Sequence, residues 1–241
     1  MTDEDIEKMK DGPYASAVGS IIYVMLCTCP DVALAISMAG RFQSNPGKEH
    51  WMTVKGILKY LKRTKDMSLV YGGIEEELVV MGYVDASIDS DPDDSNSQSG
   101  YVFMLNGGAV SWRSRKQSLI AQSTMESEYM AAAEAANEAI WLREFFIELG
   151  VFSSMRDPMN ILCDNTGSIA NAKDPRNHSV AKHISRRYHV IREHVQNGKV
   201  KVSKVDTDLN CTDPLTKPLP GDKFDQRREA IGVRVLPGVN M

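Results

Sequence analysis

The stretch LVVMGYVD at residues 78–85 decides the fold, because it is a near-continuous apolar run that ends in an acid. Such a run is typical of a central strand that is covered on both faces. Two more strand patterns follow, GYVFML at 100–105 and AVSWR at 109–113. The Asn-Gly-Gly at 106–108 between them favours a hairpin, because Asn-Gly tolerates positive φ. The sequence therefore predicts three successive strands, paired antiparallel.

Helices and strands alternate after this hairpin. A long helix rich in Ala and Glu is predicted from about 125 to 149, with Gly150 as its stop. The remaining expected elements are a strand at 159–163, helices over 166–172 and 183–196, a strand over 199–205, and a helix that begins near Thr212 or Asp213. This order predicts an α/β fold with a mixed five-stranded sheet and helices on its faces.

The residues before the first strand are predicted to be helical. In the segment 50–63, apolar residues recur at helical spacing and Lys55, Lys59, Lys62 and Arg63 fall between them. Two interpretations stay open for this basic amphipathic helix: an ordinary surface helix, or a helix that contacts nucleic acid. The periodicity changes near 66–77, which predicts units at 1–74 and 75–225 and a tail at 226–241.

Composition places the chain among folded globular proteins. It has 241 residues, of which 42% are hydrophobic and 25% charged, with a net charge of -4. The longest mostly apolar run, 15–29, is shorter than the ~20 residues that a membrane helix needs. The start lacks a secretory pattern, and the four cysteines lack zinc-like spacing. We therefore expect an intracellular chain, cytoplasmic with a nuclear location as the alternative, with reduced thiols and no membrane association.

Charge is segregated along the chain. Residues 66–112 contain nine Asp or Glu and no Lys or Arg, whereas 182–205 contain seven Lys or Arg against the single acid Glu193. The first run could hold cations and the second could contact phosphates. A solvated face is the alternative interpretation of each run.

Four acids are expected at the ends of elements. Asp85 closes the first strand, Glu128 lies in the first turn of the long helix, Asp164 follows the fourth strand, and Asp213 opens the last helix. Such positions converge on one crevice in α/β sheets, although each acid alone also suits a turn or a helix start. Gathered carboxylates would repel each other without a cation, and hard oxygen ligands favour Mg²⁺ or Mn²⁺.

Several motifs of the sequence resemble those of a known family. The following motifs look like the RNase H domain of copia-class LTR-retrotransposon Pol polyproteins: GYVDA at 82–86, SGYVF at 99–103, SWRSRKQ at 111–117, STMESEYMA at 123–131, CDN at 163–165, KHI at 182–184, RYHVIRE at 187–193 and DPLTKP at 213–218. PYASAVGS at 13–20 and the segment from 41 to 62 are similar to the helical end of the same family's reverse transcriptase. The polymerase Tyr-x-Asp-Asp motif is absent, so we expect no DNA synthesis.

The resemblance implies an RNase H-like domain of βββαβαβα type that hydrolyses the RNA strand of RNA·DNA hybrids. Two Mg²⁺ ions, with Mn²⁺ as a substitute, would lie in a site where Asp85 bridges both. Asp213 would bind the ion that holds the attacking water, and Glu128 with Asp164 would hold the other. Glu126 is the second candidate for the position of Glu128.

The same resemblance indicates where nucleic acid would bind and which partners to expect. Basic residues of the 182–205 region would contact backbone phosphates, namely Lys182, Arg186, Arg187 and Arg192. The expected partners are the hybrid and reverse transcriptase or other Pol subunits. His183 and His189 match the family but are assigned no catalytic role.

Two other hypotheses remain at the level of sequence. The chain could be a catalytically inactive remnant that acts as a nucleic-acid or protein binding module. Ser95-Asn96, which stand where a basic pair is common in the family, are compatible with that loss. A DNA integrase would fit the acids but not the hairpin and the final motif.

Overall fold

The structure is a computed structural model that describes residues 12–72, 78–88, 95–150, 157–174 and 186–236. The acidic loop at 89–94, Lys182 and His183 lie outside the described residues.

A five-stranded mixed sheet forms the centre of the part that follows the amino-terminal helices. Its strands are β2 (Val80–Ser87), β3 (Gln98–Leu105), β4 (Gly108–Lys116), β5 (Met159–Cys163) and β6 (Val200–Lys204). The spatial order is β4-β3-β2-β5-β6, in which β2, β3 and β4 pair antiparallel while β5 and β6 run parallel to β2. The predicted α/β fold class, a mixed RNase H-like sheet, is therefore confirmed.

Three helices accompany this sheet: α4 (Thr124–Leu149), α5 (Thr166–Lys173) and α6 (Val190–Gln196). The α4 helix begins where the Ser123 side chain accepts a hydrogen bond from the Glu126 amide, and it ends at Gly150 in the left-handed conformation. Its fully buried alanines at 131–133 and 135–136 belong to the main core. Because these side chains are small, the backbone of α4 can approach the sheet closely. Their size sets the distance between the first turns of α4 and β2.

The predicted start of the last helix, near Thr212 or Asp213, is wrong. Asp213–Leu215 is only a short 3₁₀ turn, and the helix α7 runs over Gly221–Ala230. Pro218 and Pro220 explain the delay, because proline lacks the N–H that an α-helix interior requires. The helix expected over 183–196 is likewise described as a 3₁₀ turn at Arg186–His189 followed by α6.

The amino-terminal helices have a core of their own and pack on the sheet. They are α1 (Tyr14–Cys27), α2 (Ala33–Ala39) and α3 (Lys48–Arg63). The Trp112 indole N–H donates to the Met25 carbonyl at 3.2 Å, and the Arg41 guanidinium donates to the Gln98 side chain at 2.6 Å. Among the described helices, none is both long enough and apolar enough to cross a membrane.

A second, two-stranded sheet joins distant parts of the chain. Strand β1 (Met67–Leu69) pairs antiparallel with β7 (Val233–Val235), with Ser68 opposite Arg234. Further main-chain bonds extend the contact, since the Val70 amide donates to the Gly232 carbonyl at 2.9 Å. The segment that follows the helices is therefore held by the segment that follows α7.

Candidate active site

Asp85 and Asp164 lie at one edge of the large sheet because of strand direction. Asp85 is near the end of β2, and Asp164 directly follows the end of β5. The two strands are parallel neighbours, so their carboxyl ends point to the same edge. Asp85 is 2% exposed, whereas Asp164 is half-buried.

Glu128 joins this edge from α4. Its Oε1 accepts a hydrogen bond from the Ala86 amide at 3.1 Å, which places the carboxylate beside Asp85. Glu126, the other candidate, accepts instead from the Gln122 amide at 2.8 Å and completes the start of the helix. Because α4 begins at Thr124, the acid of the first turn is Glu126. Glu128 was expected in that turn, but it lies just after it. The structure brings Glu128, not Glu126, to this edge. Asp85, Glu128, Asp164 and Asp213 together are called the acid cluster below.

Glu128, Asp164 and Cys163 form a compact group of ligand-type atoms, all within 4.8 Å of one another. The Cys163 thiol lies 3.8 Å from Glu128 Oε2, at the distance of a weak S–H donor. Burial, followed by the charge of Glu128, raises the pKa of the Cys163 thiol to about 12. The group is therefore a protonated thiol beside two carboxyl groups, and the hard oxygen atoms of those carboxyl groups are the ones suited to a divalent cation.

Asp213 reaches the same cluster from the segment that precedes α7. It is 1% exposed and begins the short 3₁₀ turn. Upstream, the Asn210 side chain donates to the Val84 carbonyl at 2.9 Å. Downstream, the Thr216 hydroxyl donates to the Asp85 carboxylate. These two bonds hold the segment on both sides of Asp213 against the end of β2.

Gly100 makes this close approach possible. It lies opposite Asp85 on β3. A Cβ there would stand 2.7 Å from Thr216 Cγ2 and 2.9 Å from Leu215 Cβ, which is closer than carbon atoms pack. Nearby, the Ser114 hydroxyl donates to the Leu215 carbonyl at 2.5 Å. Glycine at position 100 is thus needed for the segment that carries Asp213 to lie flat on the sheet.

Two basic side chains face Asp213. Lys217 Nζ lies 2.7 Å from Asp213 Oδ1 and 3.5 Å from Asp85 Oδ2. On the other side, Arg227 Nε lies 3.5 Å from Asp213 Oδ2. Neither basic partner was predicted from the sequence, although the spacing of four between Asp213 and Lys217 in DPLTKP was a local signal.

The electrostatics of the cluster are those of crowded, buried carboxylates. Burial, followed by the charges of Asp85 and Asp164, raises the pKa of Glu128 to about 9. Burial also raises the pKa of Asp85, with Asp213 and Asp164 adding to the rise and with Lys217 and the Thr216 hydrogen bond opposing it. The cluster is short of positive charge, and its oxygen donors fit a divalent metal ion.

The predicted nucleic-acid residues are distributed differently. Arg187 is exposed and donates to the Ser118 hydroxyl and, at 2.7 Å, to the Tyr188 hydroxyl. Arg186 begins the 3₁₀ turn, and Lys182 lies outside the described residues.

The prediction that Arg192 contacts backbone phosphates is wrong. It is 5% exposed, donates to the carbonyl of Asn171 at 2.9 Å and to that residue's side chain, and lies over the Tyr129 ring at 5.6 Å. A buried guanidinium with these partners supports the core and does not meet phosphate at the surface. The Tyr129 hydroxyl also contacts His189 Nδ1 at 3.0 Å, which gives His189 a structural environment.

Exposed basic residues occur in two other places. Lys204, at the end of β6, is exposed and donates to the Asp164 backbone carbonyl, so it borders the acid cluster. On α3, Lys55, Lys59 and Lys62 are exposed in one row.

Comparisons with curated proteins give three informative relatives. The chain is 43% identical to the retrovirus-related Pol polyprotein from transposon TNT 1-94 of Nicotiana tabacum, over 96% of this chain and 17% of that protein. It is 34% identical to the Pol polyprotein from transposon RE2 of Arabidopsis thaliana, over 93% of this chain and 15% of that protein. It is 46% identical to secreted RxLR effector protein 161 of Plasmopara viticola, over 56% of this chain and 94% of that protein.

The chain spans less than a fifth of the length of these Pol polyproteins. No model of a protein family matches it. Among solved structures, RNase H1 of the archaeon Halobacterium salinarum NRC-1 is similar with a TM-score of 0.38 and 18% identity, over 61% of this chain and 98% of that chain. The strand order β4-β3-β2-β5-β6 defines the fold class.

Proposed function

The chain belongs to the retrovirus-related Pol polyproteins of copia-type retrotransposons, and from this premise we propose that it is a metal-dependent ribonuclease H that hydrolyses the RNA strand of RNA·DNA hybrids. The observation that carries the proposal is the meeting of Asp85, Glu128, Asp164 and Asp213 at one edge of an RNase H-like sheet. The reverse transcriptase or another Pol segment is the protein partner that this function implies.

In the proposed site, Asp85 would be shared between two divalent ions. Asp213 would hold one of them, and Glu128 with Asp164 would hold the other. When bound, such ions supply an activated water and stabilise the leaving oxygen of an in-line displacement at phosphorus. Mg²⁺ is the expected ion and Mn²⁺ the expected substitute, because the ligands are carboxylate oxygens.

The chain's own residues would prepare this site before substrate arrives. The Thr216 hydroxyl fixes the orientation of the Asp85 carboxylate, and the Ala86 amide fixes that of Glu128. The Asn210 amide holds the segment that carries Asp213 against β2. Groups whose geometry is fixed in advance need no reorganisation during the reaction, which is how a preorganised site accelerates it.

The hybrid would lie across the acid edge, with its backbone near the exposed basic residues. Lys204 and Arg187 are exposed, and Lys204 borders Asp164 through its backbone carbonyl. Contacts of this kind position the duplex without reading sequence. Preference for a hybrid over DNA would come from the 2′-hydroxyls of the RNA strand and from groove shape.

A cleavage assay on a labelled RNA·DNA hybrid tests the proposal. The full chain with Mg²⁺ is expected to cleave the RNA strand, and D85N is expected to fall by more than about 100-fold, since even outer partners of metal ligands cost 10- to 100-fold. The matched control is D208N, the same change at an acid whose side chain is 90% exposed. Equal cleavage by wild type and D85N would contradict the proposal.

A second candidate function is a binding module that does not cleave. The observation that favours it is Lys217, whose ammonium already neutralises part of the acid cluster. Retention of a hybrid by the wild-type chain in a gel-shift assay, with no Mg²⁺- or Mn²⁺-dependent cleavage, would support this candidate over the enzyme.

A further inference from the structure

Lys217 carries an inference that rests on the proposed metal site and deepens it. We propose that Lys217 is a built-in counter-ion, which holds Asp85 and Asp213 in place before a divalent ion binds and leaves this position when the ion enters. Lys217 is then a positioning residue that sets the affinity of the site for metal, in addition to the four acids that would coordinate it.

The geometry of the contact is that of a cation held between two carboxylates. Lys217 Nζ lies 2.7 Å from an oxygen of Asp213 and 3.5 Å from an oxygen of Asp85. Both carboxylates are almost fully buried. A divalent ion between the same two residues would need the space next to the same oxygens. Two cations a few ångströms apart repel each other, so the ammonium and the ion exclude each other.

The surroundings allow the lysine to leave without disturbing the acids. The Lys217 side chain is 36% exposed, and it lines a cavity of about 760 Å³ between the amino-terminal helices and the segment that carries Asp213. The Arg227 side chain, in contrast, is largely buried and contacts the other oxygen of Asp213. Thr216 continues to hold Asp85. The carboxylates therefore keep their partners when the ammonium moves away.

A competitor and a mere structural support have opposite effects on metal binding. If the ammonium competes with the ion, its removal takes away part of the positive charge that neutralises Asp85 and Asp213, which destabilises the metal-free protein and strengthens metal binding. If the lysine only supports the fold, its removal weakens both. The direction of the change in Mg²⁺ affinity separates the two roles.

The experiment compares Mg²⁺ binding by the full-length wild type, K217Q and K223Q, measured by titration calorimetry and by the rise of the melting temperature with Mg²⁺. K223Q is the matched control, because Lys223 makes a surface ion pair with Asp208 at 3.6 Å, away from the acid cluster. We expect K217Q to melt at a lower temperature without metal and to bind Mg²⁺ about three- to tenfold more tightly, the size of a partly exposed ion pair. K223Q is expected to bind as wild type does.

Unchanged or weaker Mg²⁺ binding by K217Q would overturn the inference. If K217Q does not fold without metal, refolding by millimolar Mg²⁺ supports the inference and failure to refold contradicts it. K217R gives an independent check, because a variant that keeps the charge is expected to bind Mg²⁺ no more tightly than wild type. Tighter binding by K217R would also overturn it.

Hybrid cleavage by the same preparations separates this inference from the proposed function. Cleavage by wild type together with unchanged Mg²⁺ affinity in K217Q rejects the lysine's role and leaves the nuclease intact. Absence of Mg²⁺ binding in every variant rejects both.

Discussion

The two halves of the acid cluster solve the same electrostatic problem in different ways. In one half, Asp85 and Asp213 face the ammonium of Lys217. In the other, Glu128 faces Asp164 and the thiol of Cys163, and its pKa is raised to about 9. A cation partly neutralises the first half, whereas the raised pKa of Glu128 favours a proton in the second. Burying carboxylates requires compensation, and this site holds two forms of it that respond to different perturbations.

The largest expected effect is the loss of hybrid cleavage when an acid is removed from either half of the cluster. D213N removes an acid from the first half and E128Q removes one from the second. Each is expected to lower Mg²⁺-dependent cleavage of an RNA·DNA hybrid by more than about 100-fold. E126Q is the matched control on α4, because Glu126 caps the helix instead of facing the cluster. Substantial activity in either cluster variant would show that its half is dispensable.

The same two variants are expected to differ in the stability of the metal-free protein. D213N leaves Lys217 and Arg227 without one of their carboxylate partners. We expect it to lower the free energy of unfolding by about 2 kcal/mol, less than for a fully buried pair because Lys217 is partly exposed. E128Q places a neutral amide of the same shape where the folded wild type must take up a proton that its unfolded state lacks at pH 7. It is therefore expected to raise the free energy of unfolding at pH 7, by about 1 kcal/mol or more. Urea unfolding at pH 7 measures both, and equal losses would break the comparison.

The pH dependence of stability isolates the second half. The folded-state pKa of Glu128 lies above its ordinary value of 4.5, so between 4.5 and about 9 the folded state retains a proton that the unfolded state has lost. Stability is therefore expected to fall as pH rises through this range, by up to about 1.4 kcal/mol for each pH unit. Urea unfolding of metal-free protein at pH 6.5 and 7.5 measures this.

E128Q is the control for that measurement. Asp85 also has a raised pKa and contributes with the same sign, and its charge is one cause of the raised pKa of Glu128. The difference between the two slopes therefore belongs to the interacting pair Glu128 and Asp85. A wild-type slope no steeper than that of E128Q would contradict the protonated state.

The smallest effect concerns a cation at the rim of the cluster. Lys204 donates to the backbone carbonyl of Asp164 and is exposed, whereas Lys217 contacts carboxylates inside. K204Q is expected to weaken hybrid binding about threefold and to reduce the salt dependence by about one phosphate contact. Mg²⁺ affinity is expected to stay unchanged. A salt titration of hybrid binding by fluorescence anisotropy checks this, and a changed Mg²⁺ affinity would place Lys204 with Lys217.

Local sequence patterns predicted the framework because each element carries its own signals. The strand expected at 159–163 has those bounds in the structure, and the helix expected over 125–149 begins one residue earlier, at Thr124. Ser123 and Gly150 mark the ends of that helix through capping. The convergence of the acids followed from strand ends, which the parallel pairing of β2 and β5 brings to one edge.

Contacts between distant segments could not be predicted in this way. In the sequence, Lys217 is indistinguishable from an ordinary surface lysine after a turn. Only the packing of the segment that carries Asp213 on Gly100 brings it to Asp85. Arg192 fell in a basic run, which favours a surface interpretation, yet its neighbours Asn171 and Tyr129 come from other helices and enclose it. Charge type predicts exposure on average, whereas burial is decided by what packs against each side chain.

The pairing of β1 with β7 has a consequence for cooperativity. It ties the end of the amino-terminal helices to the chain beyond α7 through main-chain hydrogen bonds, and Ile231 and Val233 fill a small core beneath it. The β1–β7 pairing closes the whole chain between these two strands into one loop, and the conformational entropy of that closure is lost only once. Partial detachment of the amino-terminal helices or of the sheet therefore exposes apolar surface and regains little conformational entropy. Helices and sheet are therefore expected to melt in a single calorimetric transition. A piece trimmed to residues 75–225 would lack both strands of the tie.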